Sequence, residues 1–424
     1  MRTFARYREA LDFIEGLSNM PTDGDYLFDR HDPSVYLKRM KYFLDLIGNP
    51  EKGFKYIHIA GTAGKGSVTD MLHEILFASG KKIGSFSSPP VVSAIERIRV
   101  NEFYISPNRF ADIVDDLKPK IDKAYNEGPF GGPSAFEIFL AIAFVYFRKQ
   151  KCEWVILEVG LGGRYDATNI ISAPKITAVT SIDYDHTELL GKTLSKIARD
   201  KAGIIKSRSE FFTAEERPSL VGIFKRVCAE QDAVFHQISQ QSDYHGRNEA
   251  LATAIAQKIG IEQKFIKAGL ENSLLPCRFE VVSLKPLIIL DGAHNRSKIK
   301  ATLADLKKCR FRKLFLIIGI AQNKDHISIL KYIVPEADLV LITRFHNKER
   351  KCARPKELAE KSKPFLKKGA MIKTYLDPNM AMREARKIAR AGDMILVTGS
   401  FLLAGEMRRH WHTEEKILKL RKSF

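Results

Sequence analysis

The sequence predicts an α/β fold of two domains, each with a mostly parallel sheet covered by helices. Short β-branched runs alternate with longer helical stretches along the chain, which is the pattern of α/β proteins. One of these strands leads into a glycine-rich loop and then into an amphipathic helix. The stretch 273–286 contains two prolines and has no clear periodicity, which is typical of a domain boundary. We therefore expect one domain at 1–276 and a second at 277–424.

The periodicity of the first domain predicts five strands and five helices. The predicted strands are Lys55–Ala60, Lys82–Phe86, Glu153–Val159, Lys175–Thr180 and Ala233–Gln237. The predicted helices are Gly66–Ser79, Pro107–Lys123, Ser134–Lys149, Ser219–Glu230 and Arg247–Lys258.

The second domain repeats the alternation and is expected to be a Rossmann-like α/β unit. Its predicted strands are Leu287–Asp291, Lys313–Gly319, Ala337–Thr343 and Asp393–Thr398. Its predicted helices are Ser297–Cys309, Pro355–Lys363 and Asn379–Arg390.

The composition excludes several classes of protein. With 45% hydrophobic and 28% charged residues, the chain is neither disordered nor a fibrous rod. Its longest apolar run, Ile138–Phe147, is too short for a membrane span of about 20 residues, and no secretory signal is visible. Five cysteines without a C-x-x-C pair argue for a reducing compartment, so we expect a cytoplasmic protein. The net charge of +19 suits anionic ligands.

The most specific local pattern is GTAGKGS at 61–67, which follows an apolar strand and opens a helix. Glycines let backbone N–H groups face an anion, and the helix N-terminus adds partial positive charge. Lys65 can reach the β- and γ-phosphates of a nucleotide, and the Ser67 hydroxyl stands near a Mg²⁺ ion. The loop predicts a P-loop-type ATPase domain, although Gly66 separates the lysine from the serine and the spacing is unusual.

Two further segments follow predicted strands. In VILEVGLGGRYDATNI, a strand delivers Glu158 before a glycine turn, and in TSIDYDHTELLG, His186 lies just beyond another strand. The carboxyl ends of parallel strands are where open α/β sheets bind ligands. A carboxylate, an imidazole and serine hydroxyls can together ligate a divalent metal beside ATP.

Eight motifs in order resemble the folylpolyglutamate synthase and dihydrofolate synthase family, a branch of the Mur-type amide ligases. They are GTAGKGS, SAFE, LEVGLGGRYDATN, DHTELLG, DKAGIIK, LPCRFE, DGAHN and TGSFLLAGE, and they span roughly residues 30–410. The resemblance implies ATP and Mg²⁺ as cofactors. It also implies a ligase that adds L-glutamate to the carboxylate of dihydropteroate or folates through an acyl phosphate.

The resemblance also assigns roles to individual positions. The nucleotide contacts it implies are Gly64, Lys65, Gly66, Ser67, Asn248, Arg278 and Asp291, and the Mg²⁺ ligands are Ser88, Glu158 and His186. The substrate contacts are Ser134, Ala135, Phe136, Glu137, Tyr165, Asp166 and Ala167 for the pterin and Ser400 for the amino acid. The residues implied in catalysis are Lys65, Lys201, Asp291 and His294, with Lys201 as its N6-carboxylated form.

We expect the Asp291 carboxylate to face the cleft of the active site, because a buried unpaired carboxylate would be costly. In the alternative interpretation, Asp291 caps the helix that starts near Asn295. Three positions depart from the family pattern: Ala63 replaces Asn, Pro90 replaces His, and Cys277 replaces Gly before Arg278. The Pro90 change puts the pterin-side contacts in doubt.

Two other functions remain open at this stage. A Mur-type peptidoglycan ligase would need an N-terminal UDP-binding domain, for which a loop at residue 61 leaves no room. A basic P-loop nucleic-acid ATPase has only the net charge in its favour, and no nucleic-acid motif is visible. We expect a monomer with small-molecule substrates, no nucleic acid and no membrane partner. The sequence does not decide between one and both of the glutamate-adding activities.

Overall fold

The computed structural model describes residues 4–17, 32–238, 244–347 and 350–424. These residues form two compact units. Unit 1 is built from the described residues within Met1–Pro90, Ala94–Leu274 and Leu418–Lys422. Unit 2 comprises Val91–Ser93, Ser423–Phe424 and the described part of Leu275–Ile417. The main passage of the chain from one unit to the other is therefore at Leu274–Leu275.

Unit 1 is built around one sheet with helices packed against it. The strands in its described part are β1 (Lys55–Ala60), β2 (Ile83–Phe86), β3 (Ile98–Val100), β4 (Phe103–Tyr104), β5 (Trp154–Glu158), β6 (Ile176–Val179), β7 (Glu210–Thr213) and β8 (Val234–Gln237). The helices are α1 (Ala5–Leu17), α2 (Ser34–Leu46), α3 (Lys65–Ala78), α4 (Pro107–Glu127), α5 (Ala135–Lys149), α6 (Thr187–Leu190), α7 (Leu194–Ala202), α8 (Pro218–Glu230), α9 (Tyr244–Lys258) and α10 (Gln263–Asn272).

The order of the strands in this sheet decides where polar side chains meet. The order is β4-β3-β2-β5-β1-β6-β7-β8, and the six strands from β2 to β8 run parallel. Strand β1 lies between β5 and β6, with Ile59 opposite Glu158 and Ala60 opposite Val179. Three loops from distant parts of the sequence therefore leave the same edge of the sheet side by side.

Burial explains why these strands are central. Strand β5 is buried along its whole length, and β1 is buried from Tyr56 onward. Such continuous apolar runs are typical of parallel strands covered on both faces. One face packs against α3, α9 and α10, where Leu72, Ile75 and Leu251 join Ile57 in one cluster.

Unit 2 has a second sheet, in the order β13-β12-β11-β14-β10-β9. Its strands are β9 (Glu280–Leu284), β10 (Leu287–Leu290), β11 (Leu314–Ile318), β12 (Leu339–Ile342), β13 (Met371–Thr374) and β14 (Met394–Thr398). Its helices are α11 (Arg296–Leu306), α12 (His326–Ile333), α13 (Pro355–Ser362), α14 (Pro378–Ile388) and α15 (Phe401–Arg408), and α16 (Glu414–Leu420) lies near the C-terminus. Only β9 runs antiparallel to its neighbour within the described part of this sheet, so the predicted α/β class with mostly parallel sheets is confirmed.

Several short elements escaped the sequence patterns. Strands β3, β4, β7 and β13 have two to four residues, which is too few to show a period. Strand β9 lies inside the stretch that the sequence marked as a boundary, so that stretch is partly regular structure. Helices α1 and α2 precede the first predicted strand and were not predicted.

Two further findings concern membrane-spanning helices and disulfide bonds. In the described ranges, no helix combines the length and apolar character that crossing a bilayer requires. All five cysteines are free thiols.

Candidate active site

The glycine-rich loop joins β1 to α3 at the shared sheet edge. Gly64 caps α3 with φ of 89°, in the left-handed region that favours glycine. A side chain at Gly64 would overlap with the amide oxygen of Asn248 on α9. Asn248 is buried, and its Nδ2 has no hydrogen-bond partner among the described residues. The structure thus brings together two of the positions that the sequence analysis assigned to the nucleotide.

The loop is held in place by the segment that follows β6. The Thr62 N–H donates to the Ser181 carbonyl oxygen at 2.8 Å, and the Ala63 N–H donates to Ser181 Oγ at 3.3 Å. The Thr180 hydroxyl donates to the Ala63 carbonyl oxygen at 2.6 Å. Ala63 is buried, so the residue that departs from the family pattern lies in the packed base of the loop. Sequence reasoning missed Ser181, because a lone serine after a strand carries no distinctive pattern.

Glu158 ends β5 beside the first turn of α3. Its carboxylate oxygens lie 3.6 and 3.7 Å from where a Cβ of Gly66 would be. The Ser88 N–H donates to Glu158 Oε2 at 3.2 Å. Ser88 comes two residues after β2, the neighbour of β5, which explains why it arrives there. Two of the three expected Mg²⁺ ligands therefore touch at the start of α3.

His186 lies in the loop after β6, with φ of 49° at the start of α6. Its ring nitrogens are 3.9 Å from Asp185 Oδ1 and 3.8 Å from Glu188 Oε1. In the part of the chain that the structure describes, no group of three or more His, Cys, Asp and Glu residues could hold a metal alone. The expected set contains only two residues of these types. It fits Mg²⁺, which binds one or two carboxylates and keeps water and phosphate oxygens as its other ligands.

Lys201, which the family resemblance gives in its N6-carboxylated form, lies near the end of α7. It is only 4% exposed, and lysines are seldom buried to this extent. Burial, reinforced by the positive charge of Lys65, lowers the pKa of its amine from 10.5 to about 7. Its Nζ donates to the Gly162 carbonyl oxygen at 3.4 Å. The backbone of α7 also passes so close to Gly163 that a Cβ there would lie 2.8 Å from Lys201 Cα.

Asp166 is the centre of a small polar network after β5. Its carboxylate accepts the N–H groups of Leu161 and Thr168, each at 2.9 Å, and the Thr168 hydroxyl. Burial raises the pKa of Asp166 although these bonds oppose it. Thr168 also contacts His58 Nε2 at 2.8 Å, and burial lowers the pKa of that imidazole to about 3. The carboxylate therefore shapes the glycine turn at 160–163 through hydrogen bonds.

The segment 134–137 begins α5 and is partly structural. The Glu137 N–H donates to Ser134 Oγ at 3.4 Å, and the Ser134 N–H donates to Glu137 Oε2 at 2.7 Å, which is a capping box. Glu137 also forms a buried bidentate pair with Arg39, with Nε and Nη2 at 2.9 and 3.0 Å. Sequence reasoning missed Arg39, which lies 98 positions away.

The remaining pterin-side positions are more accessible than Glu137. Phe136 is half-buried, and its ring packs edge-on against Phe86 with centroids 5.5 Å apart. The same ring touches the glycine turn, since a Cβ at Gly160 would lie 2.9 Å from it. Tyr165 is half-buried next to exposed Arg164, whereas Ala167 is buried.

In unit 2, the structure shows the surroundings of the Asp291 carboxylate. The side chain is 7% exposed and accepts three hydrogen bonds, so this buried carboxylate is paired. The donors are the Phe279 N–H at 3.0 Å, the Ala293 N–H at 3.0 Å and the Thr302 hydroxyl at 2.7 Å. The capping alternative is wrong, because Asn295 caps α11 by accepting the Lys298 N–H.

Arg278 lies on a turn that Asp291 organises. Its guanidinium is 4.7 Å from the ring centre of Phe401. The neighbours Cys277 and Phe279 both have positive φ, 55° and 50°. A left-handed residue other than glycine costs roughly 1–2 kcal/mol, which explains why the family has glycine where this chain has Cys277.

His294 and Ser400 occupy loops at the carboxyl ends of β10 and β14. His294 Nδ1 is 3.0 Å from the Gly292 carbonyl oxygen, and its Nε2 is 3.2 Å from Lys298 Nζ. An Nδ1 proton leaves Nε2 as an acceptor for the lysine. Ser400 caps α15 by accepting the Leu402 N–H at 3.2 Å and is buried.

Comparison with known proteins gives consistent relatives. The family described as Mur ligase, glutamate ligase domain matches residues 277–401. The chain is 30% identical over 372 residues to the dihydrofolate synthase/folylpolyglutamate synthase of Mycobacterium tuberculosis, covering 75% of each protein. It is 28% identical to the Bacillus subtilis protein of the same name, covering 88% of this chain and 94% of the relative. It spans about half the length of probable bifunctional folylpolyglutamate synthase/dihydropteroate synthases from Halobacterium salinarum and Haloferax volcanii.

Two solved structures are similar over nearly the whole chain. E. coli FolC in complex with DHPP and ADP is 26% identical with a TM-score of 0.79, covering 95% of this chain and 97% of that one. A bifunctional folylpolyglutamate synthase/dihydrofolate synthase with Mn, AMPPNP and L-glutamate bound is 27% identical with a TM-score of 0.79, covering 96% and 98%.

Proposed function

The chain belongs to the dihydrofolate synthase/folylpolyglutamate synthase family, and we propose that it uses ATP to join L-glutamate to the carboxylate of dihydropteroate or a folate. The observation that carries this proposal is the edge of the sheet in unit 1. The phosphate loop follows β1, and Glu158 ends the neighbouring parallel strand β5. Buried Lys201 contacts the loop after β5 through the Gly162 carbonyl oxygen. The enzyme is an ATP-dependent ligase and uses Mg²⁺.

The nucleotide phosphates bind at the start of α3. Gly64 and Gly66 leave room for them, and Lys65 and the helix N-terminus provide positive charge. In the structure Lys65 Nζ donates to the Gly61 carbonyl oxygen at 3.0 Å, so the lysine already lies along the loop. The Asn248 Nδ2, which is buried without a hydrogen-bond partner among the described residues, supports a nucleotide contact on the other side of Gly64.

Ser88, Glu158 and His186 would hold Mg²⁺ at this edge. The ion neutralises charge on the phosphoryl group that is transferred. Glu158 suits the task because its buried carboxylate adjoins Gly66, next to where the phosphates bind. The Ser88 N–H orients that carboxylate by donating to one of its oxygens.

We propose that Lys201 carries a carbamate in the active enzyme. The neutral amine is the form that attacks CO₂, and a pKa of about 7 makes it a large fraction at neutral pH. A bond forms between Nζ and the carbon, and one proton leaves to solvent. The product is an anion in place of a cation, and it would lie beside Gly162, where the positive charge of Lys65 acts on it.

The reaction needs activation because a free carboxylate has no adequate leaving group. Transfer of the γ-phosphoryl group to the substrate carboxylate gives an acyl phosphate and ADP. The neutral amine of L-glutamate then attacks the carbonyl carbon, an amide bond forms, phosphate leaves with the C–O bond electrons, and the nitrogen loses one proton to phosphate or solvent. Lys65 stabilises the charge on the transferred group, as a preorganised cation does.

Other residues are proposed to position the substrates. Phe136, Ala135 and Tyr165 offer accessible surface for the pterin, while Ser134, Glu137, Asp166 and Ala167 support that surface from below. Arg278 contacts the nucleotide, and His294 and Ser400 lie near the amino acid. Asp291 acts by holding the turn that carries Arg278. We also propose a cytoplasmic monomer.

The first experiment measures ADP release with three acceptors: dihydropteroate, tetrahydrofolate and a UDP-muramoyl substrate, each with and without L-glutamate. We expect glutamate-dependent ADP release with one or both pterin acceptors. Release with the UDP-muramoyl acceptor alone would instead identify a peptidoglycan ligase. A parallel reaction contains nucleic acid in place of the acceptors, and ADP release stimulated by nucleic acid alone would identify a nucleic-acid ATPase.

Lys65→Ala tests the nucleotide assignment. Its loss should lower kcat by about 100-fold or more, because one preorganised electrostatic group contributes roughly 3 kcal/mol to the barrier. The matched control is Lys52→Ala, an exposed lysine just before β1, which should retain wild-type turnover. Near-wild-type turnover in Lys65→Ala would contradict the assignment.

A further inference from the structure

A buried histidine stands between two isoleucines in the central strand β1. Ile57 and Ile59 belong to the apolar cluster that packs against α3, α9 and α10. Because successive side chains of a strand point to opposite faces, His58 faces the other side of the sheet. Its imidazole is fully buried, and burial, reinforced by the positive charge of Lys206, lowers its pKa to about 3. The ring is therefore neutral at physiological pH.

The imidazole uses only one of its two nitrogens. His58 Nε2 is 2.8 Å from Oγ1 of Thr168, which lies on the short 3₁₀ helix Ala167–Ile170, 110 positions away. The other nitrogen, Nδ1, is buried and has no hydrogen-bond partner among the described residues. Thr177 lies opposite His58 on β6, but within the described ranges its buried Oγ1 is also without a partner.

Stability alone does not account for a histidine at this position. A buried polar atom without a partner costs at least as much free energy as one hydrogen bond contributes net. An apolar side chain of similar size would fill the same space in β1 and leave no nitrogen unpaired. The contact that His58 makes through Nε2 therefore indicates a role beyond packing.

The partners of Thr168 determine where the protons lie. The Thr168 hydroxyl is 2.5 Å from Asp166 Oδ1, a distance typical of a hydroxyl that donates to a carboxylate. The N–H groups of Leu161 and Thr168 also donate to this carboxylate, which favours its ionised form, an acceptor only. Because the hydroxyl has one hydrogen, it can only accept from His58. The imidazole proton must then be on Nε2.

Asp166 extends this order to the glycine turn at 160–163. Its Oδ2 accepts the Leu161 N–H at 2.9 Å. A Cβ at Gly160 would lie 3.2 Å from the same oxygen and 2.9 Å from the ring of Phe136. Phe136 is one of the accessible residues that we assign to the pterin. We define the His58 network as His58, Thr168, Asp166 and Leu161, and it leads from β1 to the proposed pterin surface.

We propose that His58 is a positioning residue for the pterin acceptor, an inference that rests on the ligase function proposed above. Its Nε2–H holds the Thr168 side chain, the Thr168 hydroxyl holds the Asp166 carboxylate, and Asp166 holds the turn in the shape that the acceptor binds. His58 itself is buried and touches no substrate. The phosphate loop, at the end of the same strand, is held separately by Thr180 and Ser181. The role therefore concerns the acceptor and not ATP.

The test uses side chains of similar size that differ in hydrogen bonding. His58→Gln places an amide donor near the position of Nε2, whereas His58→Met has a similar length and no donor. Thr168→Val removes the hydroxyl from the other side of the same contact. The control is His73→Met, which removes another buried imidazole of unit 1. The His73 ring is bonded through Nε2 to the Asn101 carbonyl oxygen at 2.7 Å and belongs to no part of the His58 network.

Steady-state kinetics give the KM for the pterin acceptor, the KM for ATP and kcat for each variant. We expect His58→Met and Thr168→Val each to raise the KM for the acceptor about fivefold, as the loss of one hydrogen bond does. Their kcat and their KM for ATP should change less than about twofold. His58→Gln and His73→Met should stay close to wild type. The double variant should be no worse than either single variant, because both break the same network.

A purely structural imidazole would give a lower Tm and an unchanged KM for the acceptor in His58→Met, and that result would overturn the proposal. Equal impairment of His58→Gln and His58→Met, or the same rise in KM for His73→Met, would also overturn it. If His58→Met does not fold, Thr168→Val decides by the same criteria. All these results leave the ligase activity standing, whereas a wild type that turns over no pterin acceptor would overturn both proposals.

The position of the proton can be measured without turnover. Nitrogen chemical shifts of ¹⁵N-labelled histidine distinguish a ring nitrogen that carries hydrogen from one that does not, and the signals missing in His58→Gln identify His58. We expect the proton on Nε2 and a ring that stays neutral between about pH 5 and 8. A proton on Nδ1 would reverse the hydrogen bond to Thr168 and overturn the proposal.

Discussion

At the scale of single residues, burial gives two side chains properties that their type alone does not have. Lys201 has a pKa of about 7 because its amine is removed from water close to another cation. Asp291 keeps a carboxylate in the interior because three donors surround it. The first leaves a large fraction of the amine uncharged at neutral pH, which is the form that the proposed carbamate needs. The second makes the carboxylate of the DGAHN motif a support for the turn around it.

The low pKa of Lys201 makes stability depend on pH. Between pH 7 and 10.5 the unfolded chain binds more protons at this position than the folded chain, so the free energy of unfolding rises with pH. The slope is at most about 1.4 kcal/mol per pH unit. In CO₂-free buffer, the difference in unfolding free energy between wild type and Lys201→Met should therefore rise by about 2 kcal/mol from pH 7.5 to 9.5.

Urea denaturation at several pH values measures this difference. The difference between wild type and Lys201→Met needs no further control, since every other titrating group is present in both proteins. Parallel pH profiles for the two proteins would show that the folded-state pKa of Lys201 is not lowered.

Asp291→Ala should destabilise the protein, which reverses the expectation for a carboxylate that faces a cleft. The change leaves the N–H groups of Phe279 and Ala293 buried without their acceptor, at about 1–3 kcal/mol each. Thr302→Val is the matched variant, because it removes one donor to the same carboxylate and should cost about 1 kcal/mol. Chemical denaturation measures both. An unchanged unfolding free energy for Asp291→Ala would contradict the structural role and favour a carboxylate that faces the active-site cleft.

At the scale of elements, the loop between β1 and α3 combines a left-handed glycine with close packing. Gly64 can take its φ of 89° without strain, and its missing side chain leaves the space in which Asn248 lies. Neither property depends on a ligand, so the phosphate-binding conformation is built into the fold. The segment after β6 adds rigidity by bonding Thr62 and Ala63.

Gly64→Ala should therefore lower ATP affinity as well as stability. Backbone strain alone should cost about 1–2 kcal/mol, and overlap with Asn248 should displace the loop or α9. Gly80→Ala is the control, because Gly80 has φ of 78° at the other end of α3 and open space around it. Calorimetric titration with ATP should show weak binding for Gly64→Ala and wild-type binding for Gly80→Ala. Equal affinities would contradict a role for the loop geometry.

At the scale of the whole molecule, the two units differ in charge far more than in architecture. Both are mostly parallel sheets with helices, but residues 275–417 carry +15 and the rest of the chain +4. Like charges repel within a unit and destabilise it, and salt screens that repulsion. The two tryptophans, Trp154 in unit 1 and Trp411 in unit 2, allow each unit to be followed separately.

Raising NaCl from low to physiological concentration should raise the Tm reported by Trp411 more than the Tm reported by Trp154. Two variants, Trp154→Phe and Trp411→Phe, each leave one reporter for thermal unfolding by fluorescence. Relief of about 1 kcal/mol of repulsion corresponds to a rise in Tm of roughly 2–4 °C for a unit of this size. We expect that rise for Trp411 and a smaller one for Trp154. Equal shifts would mean that the charge asymmetry does not govern stability.

The sequence by itself determined the class of fold, the phosphate loop and the family. Each of these depends on contiguous residues, namely the period of apolar positions, the glycines of 61–67 and the ordered motifs. Most long elements were also predicted within a few residues, and β1 at its observed bounds. Short elements such as β4 could not be predicted, because two residues show no period.

Only the tertiary structure decided which side chains are partners. Arg39 pairs with Glu137 across 98 positions, and Ser181 holds Ala63 across 118. The pKa of Lys201 depends on burial and on Lys65, which is far away in the sequence, and two of the three donors around Asp291, Phe279 and Thr302, lie 12 and 11 positions from it. The physical reason is that a hydrogen bond or a desolvated charge depends on positions in space, which the order of strands in the sheet sets and no local pattern records.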